Sequence, residues 1–508
     1  MLKKVTAVLV PLFGFLFITA YIRSATVDVV YTDYMRLVCS YLADPVSLSP
    51  YLQADALTRM PVTYLERLIN VGIFGYSTWF DMFLSAAFLA AASGIIALYG
   101  LKKGLGSGWL LALMFVVFSL DKWEMLTNGS GQVHFLTFVL FYETYVIYDR
   151  LKTMPGAKKR DAAALIWLPA ATIILAAGPY CVAYVGAMLI MYLWDTLDEK
   201  GVFERRKASG KAAGYAGCES FRIRPVHTAA LVIPLILYLL SRSASYEAYS
   251  GATDAGLIET LIDVPGFFVS MFVKSFASMI IGGETAAEYG IPGAILFILG
   301  LIVMAGYAVA IYLNIRTGLI RRAKVPMLLI LSGLLSHGLV LASRWIFLND
   351  MYGMSSRYAL QFQSGILGIL LTFGLLEAER KTAESRKRKE SEKAGKAGSG
   401  GNAAPSRDIE TGSGIRARAS VQGIPVWIRY FCAALTVLIL AGHMATNGRE
   451  IGIAKYRKEN FEAMREAALT YEELDDAELK RIFQYHDPEG TREALDILKA
   501  NGWNVFGE

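Results

Sequence analysis

Histidine and cysteine are scarce in this chain, which has five and four of them among its 508 residues. The four cysteines show no spacing typical of a metal site, and only Cys39 falls in a predicted outer loop, so no disulfide framework is expected. The sequence also lacks a glycine-rich phosphate loop and a nucleophile elbow. We therefore expect no metal and no cofactor.

Charge is scarce as well, because only 19% of the residues are charged while 55% are hydrophobic. Several runs of close to twenty apolar residues predict transmembrane helices, since a backbone in lipid must satisfy its own hydrogen bonds. We predict an all-α polytopic membrane protein with about eleven transmembrane helices. The predicted spans are 5–21, 80–99, 105–120, 133–148, 162–177, 178–194, 226–240, 291–312, 325–345, 358–376 and 426–443.

The net charge of +6 reflects lysines and arginines that concentrate in alternate loops. This is the positive-inside pattern, so it indicates a cytoplasmic amino terminus and not a nucleic-acid partner. Ala20-Tyr21-Ile22 makes a poor signal-peptide cleavage site, and we expect the first helix to remain. Segment 267–281 is apolar but contains Lys274, which favours an interfacial or re-entrant helix on the outer face.

Composition divides the chain into four parts. Residues 1–377 are predicted to form the polytopic membrane domain, and 378–424 a disordered basic cytoplasmic linker that cannot bury an apolar face. Residues 425–444 form the final span, and 445–508 an extracytoplasmic helical tail. Asp475 and Asp487-Pro488 are typical helix starts, and Asn501-Gly502 a typical helix end.

Charged side chains gather in a large first outer loop. Asp33 follows the first span, where a carboxylate is either the N-cap of a helix or a functional acid at membrane depth. Asp55 and Arg59 are four residues apart, so a salt bridge on one helix face explains them simply. Glu66-Arg67 is predicted to be a solvated helix face.

Two later outer loops carry further polar groups. Trp123, Glu124, Asn128 and Gln132 combine an interfacial aromatic with groups that suit sugar hydroxyls, although Trp123 alone fits an aromatic belt. Arg344 and Arg357 flank one short loop. A guanidinium there either snorkels to the interface or binds phosphate.

With these residues in this order, the chain resembles the GT-C superfamily of polytopic glycosyltransferases. The first helix, the large outer loop with an early acid and the many later helices are similar. More closely, the chain resembles a group of bacterial membrane proteins with segments like Phe118–Glu124, Ser356-Arg357-Tyr358 and the tail from Tyr485-His486-Asp487-Pro488. It departs from them where Gln53–Arg59 replaces an Asn-Glu-His-Arg-like run, and where the Trp-Glu motif continues as Met125–Asn128.

The resemblance implies a multi-pass enzyme of the bacterial inner membrane that uses a polyprenyl-phosphate sugar donor and a cell-envelope glycan or lipid acceptor. Asp33 would be the catalytic acid of the first outer loop. The expected substrate-binding residues are Arg36, Asp55, Arg59, Trp123, Glu124, Asn128, Gln132, Arg344, Arg357 and Tyr358. A transporter or lipid flippase is one alternative, and a catalytically silent scaffold protein is another.

Overall fold

The described chain consists of helices joined by turns and loops. The computed structural model describes residues 2–52, 61–154, 159–202, 221–243, 252–397 and 423–507, and these contain no β-strand. The all-α class is confirmed. The helices are α1 (Leu2–Ala25), α2 (Asp33–Tyr41), α3 (Thr63–Phe74), α4 (Thr78–Lys102), α5 (Ser107–Val117), α6 (Gln132–Thr153), α7 (Lys159–Leu175), α8 (Cys181–Glu199), α9 (Pro225–Ser243), α10 (Leu257–Asp263), α11 (Pro265–Ala277), α12 (Gly293–Arg316), α13 (Val325–Arg344), α14 (Ala359–Ala397), α15 (Val426–Leu469), α16 (Asp476–Phe483) and α17 (Pro488–Asn501). Shorter helical pieces are Ser49–Leu52, Trp123–Thr127, Gly283–Glu288 and Leu319–Arg322.

Seven helices among the described residues are long and apolar enough to cross a membrane: α1, α4, α8, α12, α13, α14 and α15. The other predicted spans are helical too, but α5 has only 11 residues, which is about half the thickness of a bilayer core. Membrane-spanning character is thus supported, while the count of eleven stays a prediction. α11 has 13 residues and is not among the seven, and its Lys274 pairs with Asp350 at 2.5 Å. The interfacial or re-entrant position of segment 267–281 stays a prediction.

α14 is the central helix of the bundle. The apolar window of its span is 100% buried, whereas that of α15 is 22% buried and lies at the periphery. α13 packs closely along α14 because small residues face each other. A Cβ added at Gly333 would collide with the backbone of Gly365, so the two helices could not approach this closely with larger residues.

Side chains from four predicted inner loops meet at one end of the bundle. We call this end the opposite face, because the first predicted outer loop and the C-terminal tail lie at the other end. Lys103 Nζ lies 2.8 Å from Asp149 and donates to the Arg322 carbonyl at 2.7 Å. Arg322 in turn pairs with Glu379 at 2.9 Å. These loops therefore share one side, while the compartment that this side faces remains a prediction.

The first predicted outer loop and the C-terminal tail build one hydrophobic core at the other end, which we call the tail face. Thr32 N–H donates to the Phe483 carbonyl at 2.8 Å, and Asn504 N–H donates to the Gly75 carbonyl at 2.7 Å. α2 packs along α17. Both segments thus lie on the same side, as the predicted topology requires. The buried core includes Val30, Tyr34, Met35, Val38, Leu479, Phe483, Leu495 and Leu498.

The predicted disordered linker is wrong over residues 378–397, because α14 continues through them. Lysine, arginine and glutamate are good helix formers, and the pairs Glu377–Lys381 and Arg380–Glu384 add support. The rest of the predicted linker, 398–422, lies outside the described residues. The boundary predicted at 444 falls inside α15, which runs unbroken from the final span into the tail.

We expect Leu495→Ala to loosen both the tail and α2. Leu495 is fully buried in the core that they share, so its truncation should cost about 2–5 kcal/mol. Hydrogen exchange should then rise in residues 33–41 as well as in α17. The matched control is Leu469→Ala, because Leu469 is 52% exposed and its loss should change little. Unchanged exchange in 33–41 would show that the tail folds independently of α2.

Candidate functional site

Three predicted site residues from distant parts of the sequence lie within electrostatic range of one another at the tail face. Arg357, in the turn before α14, forms an ion pair through Nε with Glu124 of the short helix Trp123–Thr127. Asp33, the first residue of α2, also acts electrostatically on the Arg357 guanidinium. Asp33 is exposed, and the Arg357 side chain is 51% exposed. An accessible acid and an accessible guanidinium thus share one surface.

Asp33 is not the N-cap of α2, which was the simple structural explanation for it. Thr32 holds that position at φ 49°, without a side-chain cap. Such a conformation strains a β-branched residue by about 1–3 kcal/mol. Thr32 is held there by its bond to Phe483 and by Asn128 Nδ2, which donates to its Oγ1 at 3.0 Å. The tail and Asn128 therefore position Asp33.

Both the nitrogen and the oxygen of the Asn128 side-chain amide form hydrogen bonds. Its Nδ2 contacts Thr32, and its Oδ1 accepts from the Ser130 N–H at 3.1 Å and from the Ser130 hydroxyl at 2.6 Å. These contacts give Asn128 a positioning role in the turn next to Asp33. Its predicted contact with a sugar remains a prediction.

Glu124 connects this surface to the rest of the tail face. Its Oε2 accepts from Ser356 Oγ at 3.1 Å, and the same hydroxyl lies 3.2 Å from Glu284 Oε1. Glu284 acts electrostatically on Arg449, which pairs with Glu450. A chain of polar and electrostatic interactions thus runs from Arg357 through Glu124, Ser356 and Glu284 to Arg449 of α15, and it orients the guanidinium.

Trp123 contacts a cation of the tail. The Arg457 guanidinium carbon lies 3.3 Å from the centre of the Trp123 ring, a cation–π contact worth roughly 0.5–2 kcal/mol. Arg457 also pairs with Glu450 at 2.8 Å, and Glu450 accepts from the Tyr21 hydroxyl at 3.1 Å. One face of Trp123 is therefore occupied by α15, and the ring joins the short helix to the tail.

Arg344 and Tyr358 lie beside the same surface. Arg344 ends α13, and its charge acts on Tyr358 and on Tyr180. Tyr358 also lies within electrostatic range of Arg357, so the two arginines share a neighbour. Arg36 is half-buried on α2, about one turn after Asp33.

One predicted substrate ligand, Gln132, does not join this group. Gln132 is 3% exposed, and its Nε2 donates to Glu66 at 3.3 Å, so it is buried away from the accessible surface, and its role as a substrate ligand stays a prediction. The cause is that Gln132 begins α6 at a buried position against α3. Asp55 and Arg59 lie outside the described residues.

α3 turns its polar side toward the protein and its apolar side outward. Glu66 and Arg67 are 9% and 2% exposed, so the predicted solvated face is wrong. This arrangement suits a helix in contact with hydrocarbon, because polar groups then pair inside the protein. The exposed apolar side chains are Leu65, Ile69, Ile73 and Phe74.

The polar side of α3 converges on Asp81, a fully buried residue in the first turn of α4. Asp81 Oδ1 accepts from Asn70 at 2.9 Å, and Oδ2 accepts from the Tyr34 hydroxyl at 2.9 Å and from Arg67 at 3.4 Å. A Cβ at Gly129 would collide with the Tyr34 hydroxyl and Asp81 Cβ, so glycine is needed there. α2, α3 and α4 are thus joined through one carboxyl.

Sequence reasoning missed the role of the charges in the middle of α15. Arg449, Glu450 and Arg457 follow the predicted end of the last span, so they were assigned to a soluble tail. Positions 450 and 457 are seven apart and therefore lie on the same side of one helix. That spacing was the available signal that the helix continues and faces partners.

No protein family, no curated protein and no solved structure matches this chain. Within the described ranges, no cluster of three or more His, Cys, Asp or Glu side chains is placed to hold a metal ion. The resemblance to GT-C glycosyltransferases therefore stays a prediction, and function must be argued from the tail face itself.

We expect Arg67→Met to destabilise α3. The substitution leaves Glu66 and Asp81 buried without their cation, which typically costs about 3–5 kcal/mol. Hydrogen exchange across residues 63–74 is the measurement. The control is Arg481→Met, because Arg481 is exposed. Equal protection of 63–74 in both variants would contradict the structural role of Arg67.

Proposed function

We propose that this chain is an inverting membrane glycosyltransferase, which moves a sugar from a polyprenyl-phosphate donor to a cell-envelope glycan or lipid. The observation that carries the proposal is the shared surface of exposed Asp33 and half-exposed Arg357. Transfer needs a base for the acceptor and a cation for the departing phosphate. In this proposal the tail face is the extracytoplasmic side of a bacterial inner membrane.

Asp33 is the proposed general base. It accepts the proton of an acceptor hydroxyl while that oxygen bonds to the anomeric carbon of the sugar. The bond from the anomeric carbon to the phosphate oxygen breaks on the other side, and the polyprenyl phosphate leaves with the electron pair. A single displacement inverts the configuration. A base of this kind contributes about 10²–10⁴-fold to the rate.

Arg357 is the proposed partner of the leaving phosphate. A guanidinium matches phosphate because its N–H groups form a rigid fork. Glu124 holds Nε, and Ser356 donates to the same carboxylate, so the side chain is oriented before substrate binds. Arg344, which shares the neighbour Tyr358, adds a second positive charge to the region.

The outward face of α3 supports a lipid-linked donor. Its exposed Leu65, Ile69 and Ile73 suit acyl or isoprenoid chains. The inner side of the same helix bonds to Asp81, and Asp81 bonds to Tyr34, the neighbour of Asp33 in sequence. A lipid surface and the proposed base are therefore linked through a few side chains.

Sugar hydroxyls remain the proposed partners of the polar groups around this pair. Glu124 carries carboxylate oxygens that can accept, and Arg36 and Tyr358 can donate. Glu124 pairs with Arg357, Tyr358 follows Arg357 in sequence and is 8% exposed, and Arg36 lies about one turn after Asp33 on α2. The arrangement supports recognition of a polyhydroxylated substrate, while the identity of the sugar stays open.

We expect Asp33→Asn to lower transfer by about 10²–10⁴-fold, because the amide cannot take the acceptor proton. Membranes containing the chain would receive a panel of undecaprenyl-phosphate-linked hexoses and pentoses. Release of undecaprenyl phosphate, measured by mass spectrometry, reports turnover without knowledge of the acceptor. The control is Asp44→Asn, an exposed carboxylate of the same loop. Unchanged release in Asp33→Asn would remove Asp33 from the mechanism.

Arg357→Gln should lower the same release by about 10²–10³-fold, because the departing phosphate loses its cation. Arg481→Gln, at an exposed site in the tail, should keep the parental rate. The proposed function fails if the unmodified chain releases no undecaprenyl phosphate from any member of the panel.

A further inference from the structure

The buried group around Asp81 has more negative than positive charge. Glu66 and Asp81 are 9% and 0% exposed, and Arg67 pairs with both, at 3.5 Å and 3.4 Å. If both carboxyls were ionised, one negative charge would stay uncompensated in a site removed from water, which is strongly unfavourable.

The two carboxyl groups also lie on either side of one guanidinium, because Arg67 contacts Glu66 Oε2 and Asp81 Oδ2. Two ionised carboxylates would offer only acceptors. Within the described residues, Glu66 Oε1 is buried and has no hydrogen-bond partner. A proton on the pair supplies a donor and cancels the excess charge at the same time.

The neighbouring groups among the described residues leave this count unchanged. Burial opposes the charge of Arg67, but Glu66 and its other neighbours raise the pKa of Arg67 above its ordinary value, so it remains a cation. Burial raises the pKa of Tyr34, Tyr51 and Tyr76, so these tyrosines remain neutral. In the same part of the chain, the neutral amides Asn70 and Gln132 also donate to the two carboxyls.

We infer that the native chain binds one proton between Glu66 and Asp81, and that this proton stabilises the packing of α3 against the other helices. The inference is independent of the proposed transferase activity. Carboxyls in water lose their protons above about pH 4, so near neutral pH the folded chain holds one proton more than the unfolded chain. Docking of α3 therefore weakens as pH rises through the range in which the pair ionises.

Infrared difference spectroscopy on the full chain in lipid nanodiscs tests the inference. Glu66→Gln places an amide of similar shape where the pair shares its proton, so this variant should fold. At neutral pH it should lack one carbonyl band of a protonated carboxylic acid that the parent chain shows. Glu462→Gln, at an exposed site, should leave that band in place.

Hydrogen exchange supplies a second readout. In the parent chain, the opening equilibrium of residues 63–74 should rise by up to about tenfold per pH unit at alkaline pH, and Glu66→Gln should flatten this dependence. If Glu66→Gln does not fold, alkaline titration of the parent chain decides, because the acid band and the protection of 63–74 should then vanish together. Absence of an acid band at neutral pH, or its persistence in folded Glu66→Gln, would overturn the inference.

Discussion

The packing of helices at the tail face depends on Asp81, because both oxygens of its buried carboxyl need hydrogen-bond donors. A carboxyl buried at the first turn of a span needs donors, and they come from α2 and α3 through Tyr34, Asn70 and Arg67. Removing one donor would leave buried charge unmet at a cost of several kcal/mol. α2 and α3 therefore cannot shift independently of α4. Because Tyr34 is held by Asp81, the position of the preceding exposed residue, Asp33, is fixed as well. A structural acid thus fixes the position of the candidate catalytic acid.

The helices could be predicted from the sequence because long apolar runs have few other solutions in a membrane. The side of α3 that packs against the protein could not be predicted from the sequence. Its periodicity shows that one side is polar, but the pattern is the same whether water or protein covers that side. Only the tertiary partner Asp81 decides it, and the burial of Gln132 against Glu66 was not foreseen for the same reason. The extension of α14 to residue 397 was missed because charge-rich composition suits both a linker and a helix stabilised by pairs such as Arg380–Glu384.

The meeting of Asp33 with Arg357 was predictable to a useful degree. Alternating topology leaves few outer loops, and polar side chains at the rim of a helical bundle tend to converge. The groups that orient Arg357 were harder to foresee. Glu284 and Ser356 contact each other across a long sequence separation, and Arg457 reaches Trp123 only because α15 continues past the predicted span. Contacts of this kind come from packing, which leaves little trace in a single sequence.

The shared core of the tail and the first outer loop also constrains the order of assembly. The Thr32 N–H donates to the Phe483 carbonyl, and the Gly75 carbonyl accepts from the Asn504 N–H. During synthesis the early loop emerges long before its partners are made, so it must wait with its apolar side uncovered. The candidate site can form only after the last residues of the tail have been made. A chain that stops short would present an uncovered apolar surface that is prone to aggregate.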